Sequence, residues 1–177
     1  MSQPPEFIAE SPLLASAYEL ARSAHHGPAR EGDTDIDHPV AVAEVLHRND
    51  FDEDVVAASL LHDVVEDTAL DVDDVRERFG PDIGRLVAEM TEDEGIVPYS
   101  DRKAEHRERV GRDRRAAAIY AADKLASTRR LDSPRQVPDE RLQHYVETLR
   151  MLCKQHPDLP FLGELSDELA RLVGRRA

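Results

Sequence analysis

Four ionisable residues fall within six positions at the end of an apolar run, Leu60-Leu61-His62-Asp63-Val64-Val65-Glu66-Asp67. Apolar neighbours explain why this segment is buried but not why it carries charge, since buried charges are costly unless paired or bound to a metal. A metal site accounts for all four. On a regular helix His62 and Asp63 point roughly 100° apart, and both reach an ion seated across the helix surface between them. Glu66 and Asp67 each follow by four positions, on the same face one turn further along. Two ligands and two acid/base groups then flank one ion and its water.

Two side chains do not hold a catalytic cation. His38, before Pro39 at a loop-to-helix junction, is the third candidate, although taken alone it reads more simply as a capping or surface histidine. Asp123 is the fourth. It follows the small, apolar stretch Ala116-Ala117-Ala118-Ile119-Tyr120-Ala121-Ala122, where a carboxylate is costly unless it meets a cation. A salt bridge to Lys124 or Arg129 is the alternative there, and ligation the preferred reading. Two imidazoles and two carboxylates suit Mn²⁺, with Fe²⁺ and Zn²⁺ as alternatives, better than Mg²⁺ or Ca²⁺. Such an ion acidifies a water and offsets charge on phosphorus-bound oxygens. Glu66 and Asp67 would orient or deprotonate that water, or protonate the departing oxygen.

The remaining chemistry-bearing residues carry less. His25 and His26 end a helix, and His47, His106, His144 and His156 sit among polar neighbours and read as surface residues. Nucleophile elbows, Walker loops and Cys-x-x-Cys pairs are absent from the sequence. Cys153, the single cysteine, lies on an apolar helical stretch and reads as core; a lone cysteine also points to a reducing compartment. The net charge of −14 excludes general binding to nucleic-acid polymers. Its distribution is uneven: residues 1–101 hold 6 basic and 25 acidic side chains, residues 102–135 hold 11 and 5. That basic block is either a solvated helix face or a patch that steers a phosphorylated ligand. Neither a secretory leader nor a membrane-spanning run is present, so a cytoplasmic protein with no membrane partner is expected.

Elements to position these residues are helical throughout. Ser11-Pro12 opens a helix that stops near His25, and 27–37 reads as a loop. Pro39 starts a helix to about Asn49, and Asp52 caps another from Glu53 to about Asp67. Asp71 and Gly80 bracket Val72–Phe79, and Pro81 begins a helix to Met90. Residues 91–100 read as a loop, 101–128 as helix broken near Gly111, 134–138 as a linker, then 139–155 and 166–173 as helices. The length suits one all-α domain over 1–177, with a core of about 12–130 and C-terminal helices 139–173 packed on it.

These residues resemble the HD-domain metallohydrolases, and more closely the guanosine tetraphosphate (ppGpp) hydrolase branch, which comprises the hydrolase domain of RelA/SpoT-type proteins and small stand-alone relatives. The resemblance runs over about residues 12–130: His25-x-Gly27, then Gly32 to Ile36-Asp37-His38-Pro39, then Leu60-Leu61-His62-Asp63-Val64-Val65-Glu66-Asp67-Thr68, Phe79-Gly80, and Ala122-Asp123-Lys124-Leu125. It implies an HD-domain helical bundle. His38, His62, Asp63 and Asp123 would hold one Mn²⁺-like ion, Glu66 and Asp67 would serve catalysis, and pyrophosphate would leave the 3′ position of a guanosine nucleotide. It also implies a nucleotide surrounded by the loop after Gly27, the 91–103 region and the turn after Asp123, which makes Arg30, Lys103, Lys124 and Ser127 the substrate-binding candidates. Pro28, Asp35 and Ser127 depart from the family pattern, where Gln, an aromatic residue and Asn are usual. Those departures keep two alternatives: a phosphatase for another nucleoside phosphate or a phosphorylated dinucleotide, and a catalytically silent nucleotide sensor.

Overall fold

The computed structural model describes residues 3–25, 36–131 and 137–174, and no β-strand occurs among them. They form two compact units, one through Thr91 and the other from Glu92. No described helix is long and apolar enough to cross a membrane.

The first unit holds α1 (Glu6–Ala9), α2 (Pro12–His25), α3 (Asp37–His47), α4 (Glu53–Leu60), α5 (Val64–Asp67), α6 (Val72–Phe79) and α7 (Pro81–Met90). Its centre is α4, against which α2, α3 and α7 pack. Every residue of α4 from Val55 to Leu60 is buried, which fits a helix with neighbours on several sides. Local signals set several boundaries. Ser11 Oγ accepts from the Leu14 amide at the start of α2. Asp71 and Asp74 form a reciprocal capping box at the start of α6. Gly80, at φ +91°, takes a backbone that L side chains rarely adopt and so separates α6 from α7. Gly84 lets those two helices touch, because a Cβ there would meet the Cβ of Arg76 at 2.9 Å.

One boundary differs from the expectation. The helix predicted from Glu53 to about Asp67 is interrupted at 61–63 and resumes as α5. Leu61 (φ −104°, ψ 0°) leaves helical geometry, while Asp63 (φ −96°, ψ −7°) stays within the right-handed helical region. The Leu61 amide donates to Ala58 and the Val64 amide to Leu61, each over a three-residue span.

The second unit holds α8 (Tyr99–Val110), α9 (Arg114–Arg129), α10 (Asp139–Gln155) and α11 (Leu162–Gly174). Here α9 is the buried element, contacting α8, α10 and α11. Its alanines at 116, 117, 118, 121 and 122 are inaccessible and allow close approach of those neighbours. The break near Gly111 is as expected, and Asp113 caps α9 by accepting from the amides of Arg115 and Ala116 at 2.7 and 3.3 Å. The last helix starts four residues earlier than predicted, and α1 was not foreseen.

Candidate metal centre

The break after α4 creates the corner that carries His62 and Asp63. In a continued helix the Ser59 carbonyl would accept the amide of residue 63. Instead it accepts the imidazole of His62, Nδ1 to O at 2.7 Å. A carbonyl only accepts, so Nδ1 carries a proton and Nε2 is the ring atom left to meet a ligand. That nitrogen is buried, finds no hydrogen-bond partner among the described residues, and lies 3.1 Å from Asp63 Oδ1. An imidazole nitrogen and a carboxylate oxygen at that distance need a positive charge between them, either a proton or a metal ion. The chemistry of the pair therefore fits a cation.

His38 lies beside this corner. It sits in the first turn of α3, half-buried, with its ring 5.4 Å from that of His62 at an angle of 62°. The ligand nitrogens of the two histidines lie within 4.8 Å of each other. The helix is capped by Ile36 and not by a side chain, so the capping reading of His38 is set aside. Glu66 and Asp67 occupy α5 and are exposed, and the Asp67 amide donates to the Asp63 carbonyl at 2.9 Å. Asp63 and Asp67 thus keep their one-turn relation, although the regular helix expected through His62 is absent. Thr68 ends the element in an extended conformation, its hydroxyl donating to Val64 O at 2.6 Å.

In the second unit Asp123 is buried on α9. Its Oδ2 accepts from Lys124 Nζ at 2.5 Å and its Oδ1 from Ser127 Oγ at 3.2 Å. The salt bridge weighed as the alternative to ligation is therefore present. Burial alone would push Lys124 down, but Asp123 and the hydroxyls of Tyr120 and Tyr145 outweigh it and hold the ammonium charged. Arg30, Pro28 and Asp35, with His26 and the rest of 26–35, lie outside the described residues.

The basic block is largely matched by carboxylates of its own unit. Lys103 and Arg102 both engage Glu92, Arg102 at 2.9 Å, and Arg102 also donates to Ile96 O. Burial raises the Glu92 carboxyl, yet bonds with His106, Lys103 and Arg102 outweigh it and hold it well below the usual carboxylate range. Arg107 pairs with Glu147, Arg109 with Glu105, Arg112 with Glu108, and Arg114 with Asp158. The solvated-face reading describes this segment better than an open cationic patch.

Three side chains read as ordinary stand elsewhere. His106 and His144 are buried, not at the surface, and Cys153 is exposed, not core. His144 Nδ1 accepts from Arg107 Nη1 at 2.8 Å and its Nε2 meets the Tyr120 hydroxyl at 3.3 Å. Burial, then the charges of Lys124, Lys103 and Arg107, press its pKa down to about 2, and burial lifts Tyr120 to about 12. A signal existed: His144, Tyr145, Thr148 and Leu152 form one buried stripe of α10 at helical spacing.

A family model described as an HD domain matches residues 17–151. A mouse protein named guanosine-3′,5′-bis(diphosphate) 3′-pyrophosphohydrolase MESH1 is 34% identical over 153 residues, covering 82% of this chain and 85% of its own. The bifunctional (p)ppGpp synthase/hydrolase SpoT of Escherichia coli K12 is 35% identical over 146 residues, 78% of this chain but 20% of that protein. The chain spans about one fifth of the length of such bacterial relatives. Among solved structures, a metazoan ortholog of SpoT, described as hydrolysing ppGpp, superposes with a TM-score of 0.74 at 28% identity, covering 98% of this chain and 99% of its own.

Proposed function

The chain belongs to the HD-domain family, and from that premise we propose that it is a divalent-metal-dependent hydrolase that removes pyrophosphate from the 3′ position of guanosine-3′,5′-bis(diphosphate). The observation that carries this reading is the similarity to the mouse pyrophosphohydrolase over most of both chains. The His62 corner supports the metal half of it, because a buried imidazole nitrogen facing a carboxylate suits a cation.

In this reading His38, His62, Asp63 and Asp123 hold the ion, Mn²⁺ first by donor chemistry, with Fe²⁺ or Zn²⁺ as alternatives. When bound, the ion acidifies a water and offsets charge on the phosphoryl oxygens. The Ser59 carbonyl holds Nδ1 and sets the direction of the His62 ring, so Nε2 is aimed before any ligand arrives. Glu66 or Asp67 takes the proton of the attacking water, and the 3′ oxygen needs a proton as its bond to phosphorus breaks; exposure on α5 gives both carboxylates access to water. Lys103, Lys124, Ser127 and Arg30 remain the candidates for the nucleotide. The first two are engaged with Glu92 and Asp123, so contact with phosphate would require exchange of those partners.

The test is pyrophosphate release from ppGpp by purified protein with Mn²⁺, lost in Asp63→Asn. A second substrate class, another nucleoside phosphate or a phosphorylated dinucleotide, is favoured by Pro28, Asp35 and Ser127 in place of the family residues. A substrate panel with the same metal separates the two.

A further inference from the structure

Lys124 was expected at the nucleotide, yet its surroundings give it another task. Its side chain is only 12% exposed. The ammonium bonds Asp123 Oδ2 and stands 4.4 Å from the centre of the Tyr120 ring and 5.8 Å from that of Tyr145. Aromatic faces attract a cation, and more strongly where water is excluded.

The Tyr120 ring is itself fixed. It is fully buried, and His106 meets it edge-on at 4.9 Å. Its hydroxyl meets His144 Nε2. Because Arg107 donates to Nδ1, the His144 proton resides on Nε2 and is donated to the tyrosine oxygen. Arg107 is anchored in turn by Glu147 at 2.6 Å. A continuous set of bonds and ring contacts thus runs from Glu147 of α10 and Arg107 of α8 to the carboxylate of Asp123 on α9.

We propose that Lys124 is a positioning residue that acts through Asp123: by holding Oδ2 it leaves Asp123 to offer one oxygen, Oδ1, to the divalent ion, and Tyr120, oriented by His144, sets the ammonium for that task. This deepens the function proposed above and rests on its metal reading. Ser127 Oγ, which donates to Oδ1, is the group that exchanges when that oxygen is used. Partners that orient a metal ligand typically matter about 10–100-fold in affinity or activity.

The experiment replaces Mn²⁺ by Co²⁺, whose visible absorption reports coordination number and geometry. Spectra are recorded on the full chain at saturating Co²⁺ for the wild type, Lys124→Met, Tyr120→Phe and Tyr120→Leu, with circular dichroism to verify folding. Lys124→Met should change band position and intensity and lower kcat about 10–100-fold, with KM for ppGpp little changed. Tyr120→Phe keeps the ring but loses the His144 bond and should move the spectrum part of the way toward Lys124→Met, and Tyr120→Leu should move it further. If the leucine variant fails to fold, Lys124→Met alone decides. A Lys124→Met spectrum superimposable on the wild type overturns the proposal, as does a raised KM with unchanged kcat, the signature of a substrate contact. Because the spectra need no turnover, a wild-type Co²⁺ signal without ppGpp hydrolysis removes only the substrate assignment. A wild type with no Co²⁺ signal removes the metal reading and this inference together.

Discussion

His62 and His144 are equally buried, each 3% exposed, yet they are built to opposite ends. Both nitrogens of His144 are answered, one by Arg107 and the other by Tyr120. Among the described residues one nitrogen of His62 is answered, by the Ser59 carbonyl, and the other faces the Asp63 carboxylate. Burial of an imidazole therefore says little about its role. A completed ring braces its neighbours, and a ring with one nitrogen left open is a candidate ligand. Buried polar groups are nearly always satisfied, so the exception calls for a partner.

The largest expected effect breaks the incomplete ring. His62→Ala should reduce Mn²⁺ binding and ppGpp hydrolysis to background, measured by calorimetry and pyrophosphate release. Retained activity would mean that the corner is structural after all. Glu66→Gln and Asp67→Asn separate ligation from proton transfer: kcat should fall about 10²–10⁴-fold for whichever group serves as acid or base, with Mn²⁺ binding kept. Loss of metal binding in both would make them ligands instead.

The completed ring is tested by pH. The His144 pKa is depressed from 6.5 to about 2, so the unfolded chain takes up the proton first. The stability of the neutral ring is whole above 6.5 and declines as pH falls toward about 2, by up to about 1.4 kcal/mol per pH unit. His144→Gln, which offers an acceptor and a donor without titrating, should flatten urea midpoints between pH 6.5 and 4.5 relative to the wild type. Parallel curves would count against a neutral, completed His144.

The two rings also show what was legible in the sequence. Boundaries set by neighbours in the chain were readable: Asp71, Gly80 and Pro81 gave both ends of α6 and the start of α7. The break at 61–63 was not, because Leu61 and Val64 continue the apolar pattern and the cause is a side chain taking the Ser59 carbonyl. His144 was hidden for a similar reason. Gln143 and Glu147 beside it are polar, and its partners Arg107 and Tyr120 lie 37 and 24 positions away. Residue types alone pointed to His38, His62, Asp63, Glu66, Asp67 and Asp123, but not to the brace behind Lys124. A smaller effect marks the readable side: Asp71→Ala removes the capping box and should cost about 1 kcal/mol, read as a lower urea midpoint with activity unchanged.

Mn²⁺ titration into the metal-free wild type and His62→Gln, followed by the loss of the free-ion electron paramagnetic resonance signal, tests the central claim most directly. One Mn²⁺ should bind per wild-type chain and none to the variant. Equal binding by both, or none by the wild type, contradicts it.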